Sequence, residues 1–256
     1  MLQYLRAAGA AVLLAACAVA ASPQNQASSN KIPVKKEEKR LSVGFTVGGM
    51  ITSGVKSVST SVNTSATTPP TVTDTLVDSK TARYLVGGSV RYDVGERFGV
   101  GADLLYRRGG YDTAISISEQ VTADENGDLL LSTTEQTRAN LIDIPILGRY
   151  YFRPRSDDGA RAFVTGGLAM RFVSGLKTTS ETTDQDLVTD TDLTAIGPAN
   201  SFVPGVLIGA GVRAKDDVGV KVDLEFRLTR WLNPVFQSGP ANSNPNQAEA
   251  MVSFTF

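Results

Sequence analysis

The sequence predicts an all-β fold, an eight-stranded antiparallel transmembrane up-and-down β-barrel, and three observations lead there. From Leu41 to Phe256 apolar residues recur with period two, the spacing of strands with two distinct faces. Short and long connections between the candidate strands alternate strictly. One strand face is almost free of charge while the other is crowded with it.

The chain opens with an export signal, residues 1–20. Arg6 precedes the unbroken small and apolar run Ala7 to Ala16, and small residues continue to Ala21 before Ser22-Pro23-Gln24-Asn25-Gln26. The run is too short for a membrane-spanning helix, which needs about 20 apolar residues. Two processing readings stand side by side. Ala18-Val19-Ala20 is an A-x-A cleavage site, the favoured one, and Leu14-Ala15-Ala16-Cys17 resembles the lipoprotein box in which Cys17 becomes acylated. Residues 21–40 read as a flexible linker, Gln/Asn/Ser-rich and then charged from Lys35 to Arg40.

The barrel is expected over 41–256, with strands at 41–52, 82–94, 97–110, 140–152, 161–174, 202–214, 218–231 and 247–256. Tight turns at Gly95-Glu96 and Lys215-Asp216-Asp217, and a slightly longer link over 153–160, join alternate pairs. The other connections, 53–81, 111–139, 175–201 and 232–246, are long, and both barrel ends fall on the short-turn side. Outer-membrane barrels have this layout, with periplasmic turns and longer extracellular loops.

The faces decide what solvent surrounds the barrel. One face carries Leu41, Val43, Phe45, Val47; Tyr84, Val86, Val90, Tyr92; Ile142, Ile144, Ile146; Val220, Val222, Leu224, Phe226, and so on around the ring. Its only charges are Arg108 and Arg230, both at long-loop ends. The opposite face carries Arg83, Arg91, Arg107, Arg149, Arg161, Arg171, Arg213, Lys221 and Arg227 against Asp93, Asp103, Asp143, Asp223, Glu225 and Glu249. A soluble ligand-binding barrel has the reverse arrangement. An apolar outside around a charged inside means that lipid is the outer solvent, and closure is then required because an open edge leaves backbone groups unpaired in hydrocarbon. An interior charge network is expected from Arg91, Asp103, Arg107, Asp143, Arg149, Arg171, Asp223, Glu225, Arg227 and Glu249. Eight strands enclose a space that side chains largely fill, so these residues are expected to form a salt-bridged plug in preference to a pore. Two aromatic girdles are expected: Tyr92, Phe98, Tyr150, Phe152, Phe254 and Phe256 at the periplasmic rim, and Tyr84, Tyr106, Phe172, Phe202 and Trp231 near the other.

Leu141-Ile142-Asp143-Ile144-Pro145-Ile146-Leu147-Gly148-Arg149-Tyr150-Tyr151-Phe152 resembles the L-E-I-P-L-L-x-K-Y strand of the PorT-like outer-membrane β-barrel domain family, with Asp143 for Glu and Arg149 for Lys. The C-terminal strand, with Val252, Phe254 and Phe256 at alternate positions, resembles the signal read by the barrel-assembly machinery. The resemblance covers about residues 41–256. It implies that Pro145, which removes a ladder donor, is tolerated within the strand, at a bulge.

Composition narrows function. The chain contains no His, which excludes His-based catalysis and His-ligated zinc, and its single cysteine, Cys17, lies in the leader, which excludes a disulfide framework. A net charge of −1 argues against nucleic-acid binding. Asp223 and Glu225 lie two apart on one face, but Arg227 beside them makes ion pairing the better account. No catalytic residue, cofactor or metal site is expected. Loop 53–80 is Ser/Thr-rich and reads as low-complexity disorder. Loop 175–201 reads as a solvated acidic loop, its carboxylates matching no calcium motif. In 111–139, Asn126-Gly127 between apolar runs signals a hairpin, so a β-ribbon is expected above the membrane as a docking edge for a partner strand. The expectation is a bacterial outer-membrane protein, not an enzyme, that contacts lipid, the barrel-assembly machinery and a surface or envelope protein. The alternatives are a narrow channel for small solutes or an accessory component of an envelope secretion system.

Overall fold

The computed structural model describes residues 40–64, 71–119, 129–156, 159–184, 189–194, 198–216, 219–238 and 241–256. The expected signal (1–20) and its Cys17, together with linker residues 21–39, lie outside them. The described unit runs from Arg40 to Phe256. In chain order its strands are β1 (Leu41–Met50), β2 (Val55–Lys56), β3 (Val58–Thr64), β4 (Thr71–Ser79), β5 (Tyr84–Asp93), β6 (Phe98–Glu119), β7 (Leu129–Tyr151), β8 (Arg161–Asp184), β9 (Thr189–Thr194), β10 (Phe202–Lys215), β11 (Lys221–Trp231), β12 (Gln237–Ser238), β13 (Ala241–Ser243) and β14 (Asn246–Thr255).

Eight of them close a ring in the order β1-β5-β6-β7-β8-β10-β11-β14. β14 returns to β1 with Phe45 opposite Phe254 and Gly48 opposite Met251, and every pair is antiparallel. The ring therefore has no open edge at membrane depth. The short turns follow from local chemistry. Val94 N–H and Gly95 N–H both donate to Phe98 O, at 2.9 and 3.1 Å. Gly219 and Gly159, in the other two short connections, have φ of 98° and 104°, a region that side chains disfavour.

Alternation sorts the side chains as the sequence implies. Leu41, Val43, Phe45 and Val47 of β1 are exposed on the outer wall, whereas Ser42 and Thr46 are buried inside. The same holds on β5, where Val86 and Val90 face out and Ser89 and Arg91 face in. At the periplasmic rim the outward aromatics pack along the wall: Phe98 on Tyr150 (5.1 Å between ring centres), Tyr150 on Phe152 (5.7 Å) and Phe45 on Phe254 (5.0 Å). Trp231 corrects the expected girdle. It has the inward parity of β11, shared with Glu225, Arg227 and Thr229, and is buried inside the barrel. Arg83 is another correction, since it stands exposed just before β5 and not in the interior.

Pro145 is accommodated without a bulge. Leu105 pairs with Asp143 and Ala102 with Ile146, so the β6–β7 register is the same on both sides of the proline. Only the two residue pairs between them drop out of that ladder. The β7–β8 ladder passes through Pro145 opposite Ala169 without interruption.

Three barrel strands are far longer than a bilayer requires. β6, β7 and β8 contain 22, 23 and 24 residues, against about 9–11 for a tilted transmembrane strand. Their upper halves continue as a ribbon in which Ser118 pairs with Leu129 and Ser132 with Thr183. The Asn126-Gly127 turn lies outside the described residues. β4 adds to this ribbon through β6 (Thr75 opposite Ile115), β3 adds to β4, and β9 adds to β8. The result is a six-stranded extracellular sheet, β3-β4-β6-β7-β8-β9. Two expectations are overturned by it. The Ser/Thr-rich segment 53–80 contains β2, which pairs with β13, and also β3 and β4, where β-branched Thr and Val recur and β4 finds a ready edge in β6. The acidic segment 175–201 is in large part the end of β8 paired with β9, Ser180 facing Asp192 and Thr182 facing Asp190.

Candidate functional site

The inward face of the ring places all ten expected network residues in the barrel, each buried. The pairs fall into two groups. The larger starts near the short turns, where Lys221 Nζ reaches Asp93 at 3.3 Å and donates to Ser42 Oγ at 3.0 Å. Arg213 links Asp93 (3.5 Å) to Asp223, to which Nε and Nη2 donate at 2.6 and 2.8 Å. Arg149 then spans Asp223 (2.5 Å) and Glu225. Arg227 joins Glu225 (2.7 Å) to Asp103 (2.8 Å), and Arg91 ends the chain on Asp103 at 2.5 Å. The smaller group lies nearer the extracellular mouth. Arg107 holds both Asp143 and Glu249, and Arg171 donates to Asp143 at 2.7 and 2.9 Å and to Gln247 at 2.8 Å.

Register explains why these partners meet. Arg213 lies directly opposite Asp223 and Asp143 opposite Arg171 on neighbouring strands. Glu225 and Arg227, two apart on β11, share one face and pair there. Arg213 also reaches Asp93 on β5, Arg227 reaches Asp103 on β6, Arg107 reaches Glu249 on β14, Arg171 reaches Gln247 on β14, and Arg149 spans from β7 to β11, so the pairs tie distant parts of the wall together. Aromatic rings complete the packing. Arg149 lies over Phe163 (4.6 Å), Arg161 over Tyr151 (4.6 Å) and Arg171 over Trp231 (3.9 Å). Trp231 Nε1 donates to Gln247 at 3.1 Å.

Sequence reasoning missed the inward glycines. A Cβ on Gly101 would stand 2.7 Å from Arg91 Cδ, and one on Gly211 would stand 2.6 Å from Phe163 Cζ. These glycines supply the space into which arginines and rings fold. The detectable signal is parity: they occupy the charged face of their strands. The apolar lid over the charge network was missed as well. Leu141, Val173 and Val203 inside the upper barrel pack with Val55, Val77, Tyr111, Val235 and Phe236 from the connections above. Its signal was weak because Val235 and Phe236 sit in a loop with no periodicity.

Two voids within the network are small. The void beside Arg107, Asp143 and Glu249 is about 10 Å³, as is the one between Arg171, Gln247 and the lid; each has room for about one water molecule. Among the described residues no group of three or more His, Cys, Asp or Glu side chains is arranged to hold a metal. Nor, among them, is any helix long and apolar enough to cross a membrane, which says nothing against crossing by strands.

A closed eight-stranded ring, greasy outside and ionic inside, defines an outer-membrane β-barrel. The chain belongs to the outer membrane protein β-barrel domain family, whose model matches residues 24–237. That match begins ahead of β1 and stops short of β14. No curated protein matches the chain. Among solved structures it is similar to the translocator domain of autotransporter NalP from Neisseria meningitidis, at 14% identity, over 87% of this chain and 90% of that one, with a TM-score of 0.34.

Proposed function

We propose that this protein is a non-conducting barrel that presents its extracellular sheet to a surface or envelope partner, which docks by strand addition. In this reading it is not an enzyme and uses no cofactor. We further propose that it is PorT-like, is exported by a cleaved signal, and is assembled through Val252, Phe254 and Phe256, which line the outer wall of β14.

The observation that carries the reading is the edge at β3. Natural sheets guard exposed edges with charge, proline or bulges. β9, the other edge, has Asp190 and Asp192, whereas β3 (Val58-Ser59-Thr60-Ser61-Val62-Asn63-Thr64) has neither charge nor proline and is largely exposed. Among the described residues it pairs with β4 alone. Such an edge suits an incoming strand. The filled lumen supports the other half of the reading, because permeation would require buried ion pairs to part.

Two measurements test it. Purified protein in planar bilayers is expected to give no single-channel steps; stable steps would refute the plug. A photocrosslinking residue at Thr60 in living cells is expected to yield a discrete adduct that Asn63→Pro abolishes. An unchanged adduct in that variant, or none with wild type, would refute docking at β3.

A further inference from the structure

The connection between β11 and β14, residues 232–245, does more than cover the barrel end. Its described residues are tied to one another and to neighbouring connections by hydrogen bonds. Ser243 Oγ accepts from Val235 N–H and Phe236 N–H at 3.1 and 2.7 Å, and Ser243 N–H donates to Phe236 O at 3.1 Å. Asn200 Nδ2 donates to Pro234 O at 2.9 Å from the neighbouring connection, and Asn244 N–H donates to Gly54 O at 2.9 Å. Between this segment, β2 and the barrel end lies a cleft of about 220 Å³.

The lining has a consistent chemistry. It includes two cations, Lys56 and Arg171, and no carboxylate. Arg171 is almost wholly buried and is fixed from below by Asp143 and Gln247, so its guanidinium is oriented before any ligand arrives. Lys56 is exposed and has no ion pair among the described residues. Asn233 and Asn242, also exposed, make no side-chain hydrogen bond within the described chain. Apolar surface is supplied by the half-buried Pro234 and Pro245, with Trp231 buried behind them and Arg171 over its ring. Lys56 supplies charge that no carboxylate offsets among the described residues, and Arg171, already paired with Asp143, adds an oriented guanidinium; with unspent carboxamides and apolar proline faces they suit a ligand that is small, anionic, rich in hydroxyls and apolar along its ring faces. The volume is below the roughly 300 Å³ floor of ordinary small-molecule pockets, so one ring fills it.

We infer that this mouth cleft binds an acidic monosaccharide, either free or as the terminal unit of a glycan. The anionic group sits between Lys56 and Arg171, and the carboxamides of Asn233 and Asn242 take the hydroxyls. The site shares no residue with the β3 edge, so its fate is independent of the strand-docking reading.

The test is saturation-transfer NMR and calorimetry on the whole refolded protein in detergent, with glucuronate, glucose 6-phosphate and glucose as probes. At least one of the two anionic sugars is expected to bind with a Kd of about 1 mM or tighter, and glucose more weakly. Preference between carboxylate and phosphate identifies the anionic group. Lys56→Glu and the double change Asn233→Ala/Asn242→Ala each alter exposed residues and are expected to keep the heat-modifiable migration of a folded barrel while weakening binding about tenfold or more. Absence of binding by both anionic sugars, equal binding by glucose, or unchanged affinity in both variants would overturn the inference.

Discussion

Removing Asp103 exposes the energetics of the plug most directly, because its two arginines depend on it unequally. Arg227 keeps Glu225 at 2.7 Å when Asp103 is lost. Arg91 has Asp103 as its one carboxylate partner among the described residues, at 2.5 Å, and otherwise donates to the Val90 and Ala102 carbonyls at 3.1 Å. Among the described residues its Nε and Nη2 have no hydrogen-bond partner. Asp103→Leu therefore strands a buried guanidinium, a loss of about 3–5 kcal/mol. Arg91→Met leaves Asp103 paired with Arg227 at 2.8 Å, so its cost is that of an ordinary charged hydrogen bond, about 1.5–3 kcal/mol. The double variant has no stranded charge and is expected to be more stable than Asp103→Leu alone. The assay is urea unfolding of the refolded protein in lipid, followed by fluorescence of the chain's one tryptophan, Trp231, which is buried above the network. Costs that simply add in the double variant, or Arg91→Met proving worse than Asp103→Leu, would refute this account.

Two further perturbations probe the wall. Gly101→Leu drives a side chain into the space held by Arg91, with even its Cβ 2.7 Å from Arg91 Cδ. A loss of about 1–3 kcal/mol is expected in the same urea titration, and Arg91→Ala in the same chain should restore part of it. Ala210→Arg places a charge on the exposed outer face at the middle of β10, opposite Phe226 and Val164. It should cost about 2–4 kcal/mol in bilayers and much less in the thin shell of a short-chain detergent; equal losses in the two would contradict a lipid-facing wall.

The barrel was legible in the sequence because strand parity is rigid. Once Val90 is assigned to the outside, Arg91 must point in, and each assignment propagates along the strand. The same rule, applied without exception, would have placed Trp231 inside, where Gln247 and Arg171 satisfy it. Pro145 was harder, since sequence shows the missing donor but not that the ladder resumes in register beyond it. The extracellular sheet was only half legible. Apolar runs flanking Asn126-Gly127 announce the β6–β7 ribbon, but the few apolar residues of β3 and β4 are diluted by Ser, Thr, Asn and Asp, and nothing in Ser59-Thr60-Ser61 distinguishes an exposed strand from solvated coil. What orders them is the free edge of β6, a tertiary cause. The mouth cleft was illegible for a related reason: Lys56, Arg171 and Asn233 come from three distant segments, brought together by the lid.

Retaining so many charges in the lumen needs a physical reason, since buried ion pairs are seldom more stable than apolar packing. In a membrane barrel the comparison changes. If the interior were also apolar, a one-residue slip between two strands would exchange two greasy faces at little cost. With the charges in place, a slip turns the inward set outward. For β11 alone it would present Lys221, Asp223, Glu225 and Arg227 to hydrocarbon, at about 2–4 kcal/mol for each cation that reaches the midplane and less for the acids. The cross-lumen pairs add a second condition, because Arg149 can meet both Asp223 and Glu225 only when β7 and β11 face each other across the lumen at one relative height. The network thus selects a single register, and it does so beneath the long strands β6, β7 and β8, whose extracellular halves continue those same ladders. Setting the heights of these strands in the membrane therefore also aligns the sheet that stands above it.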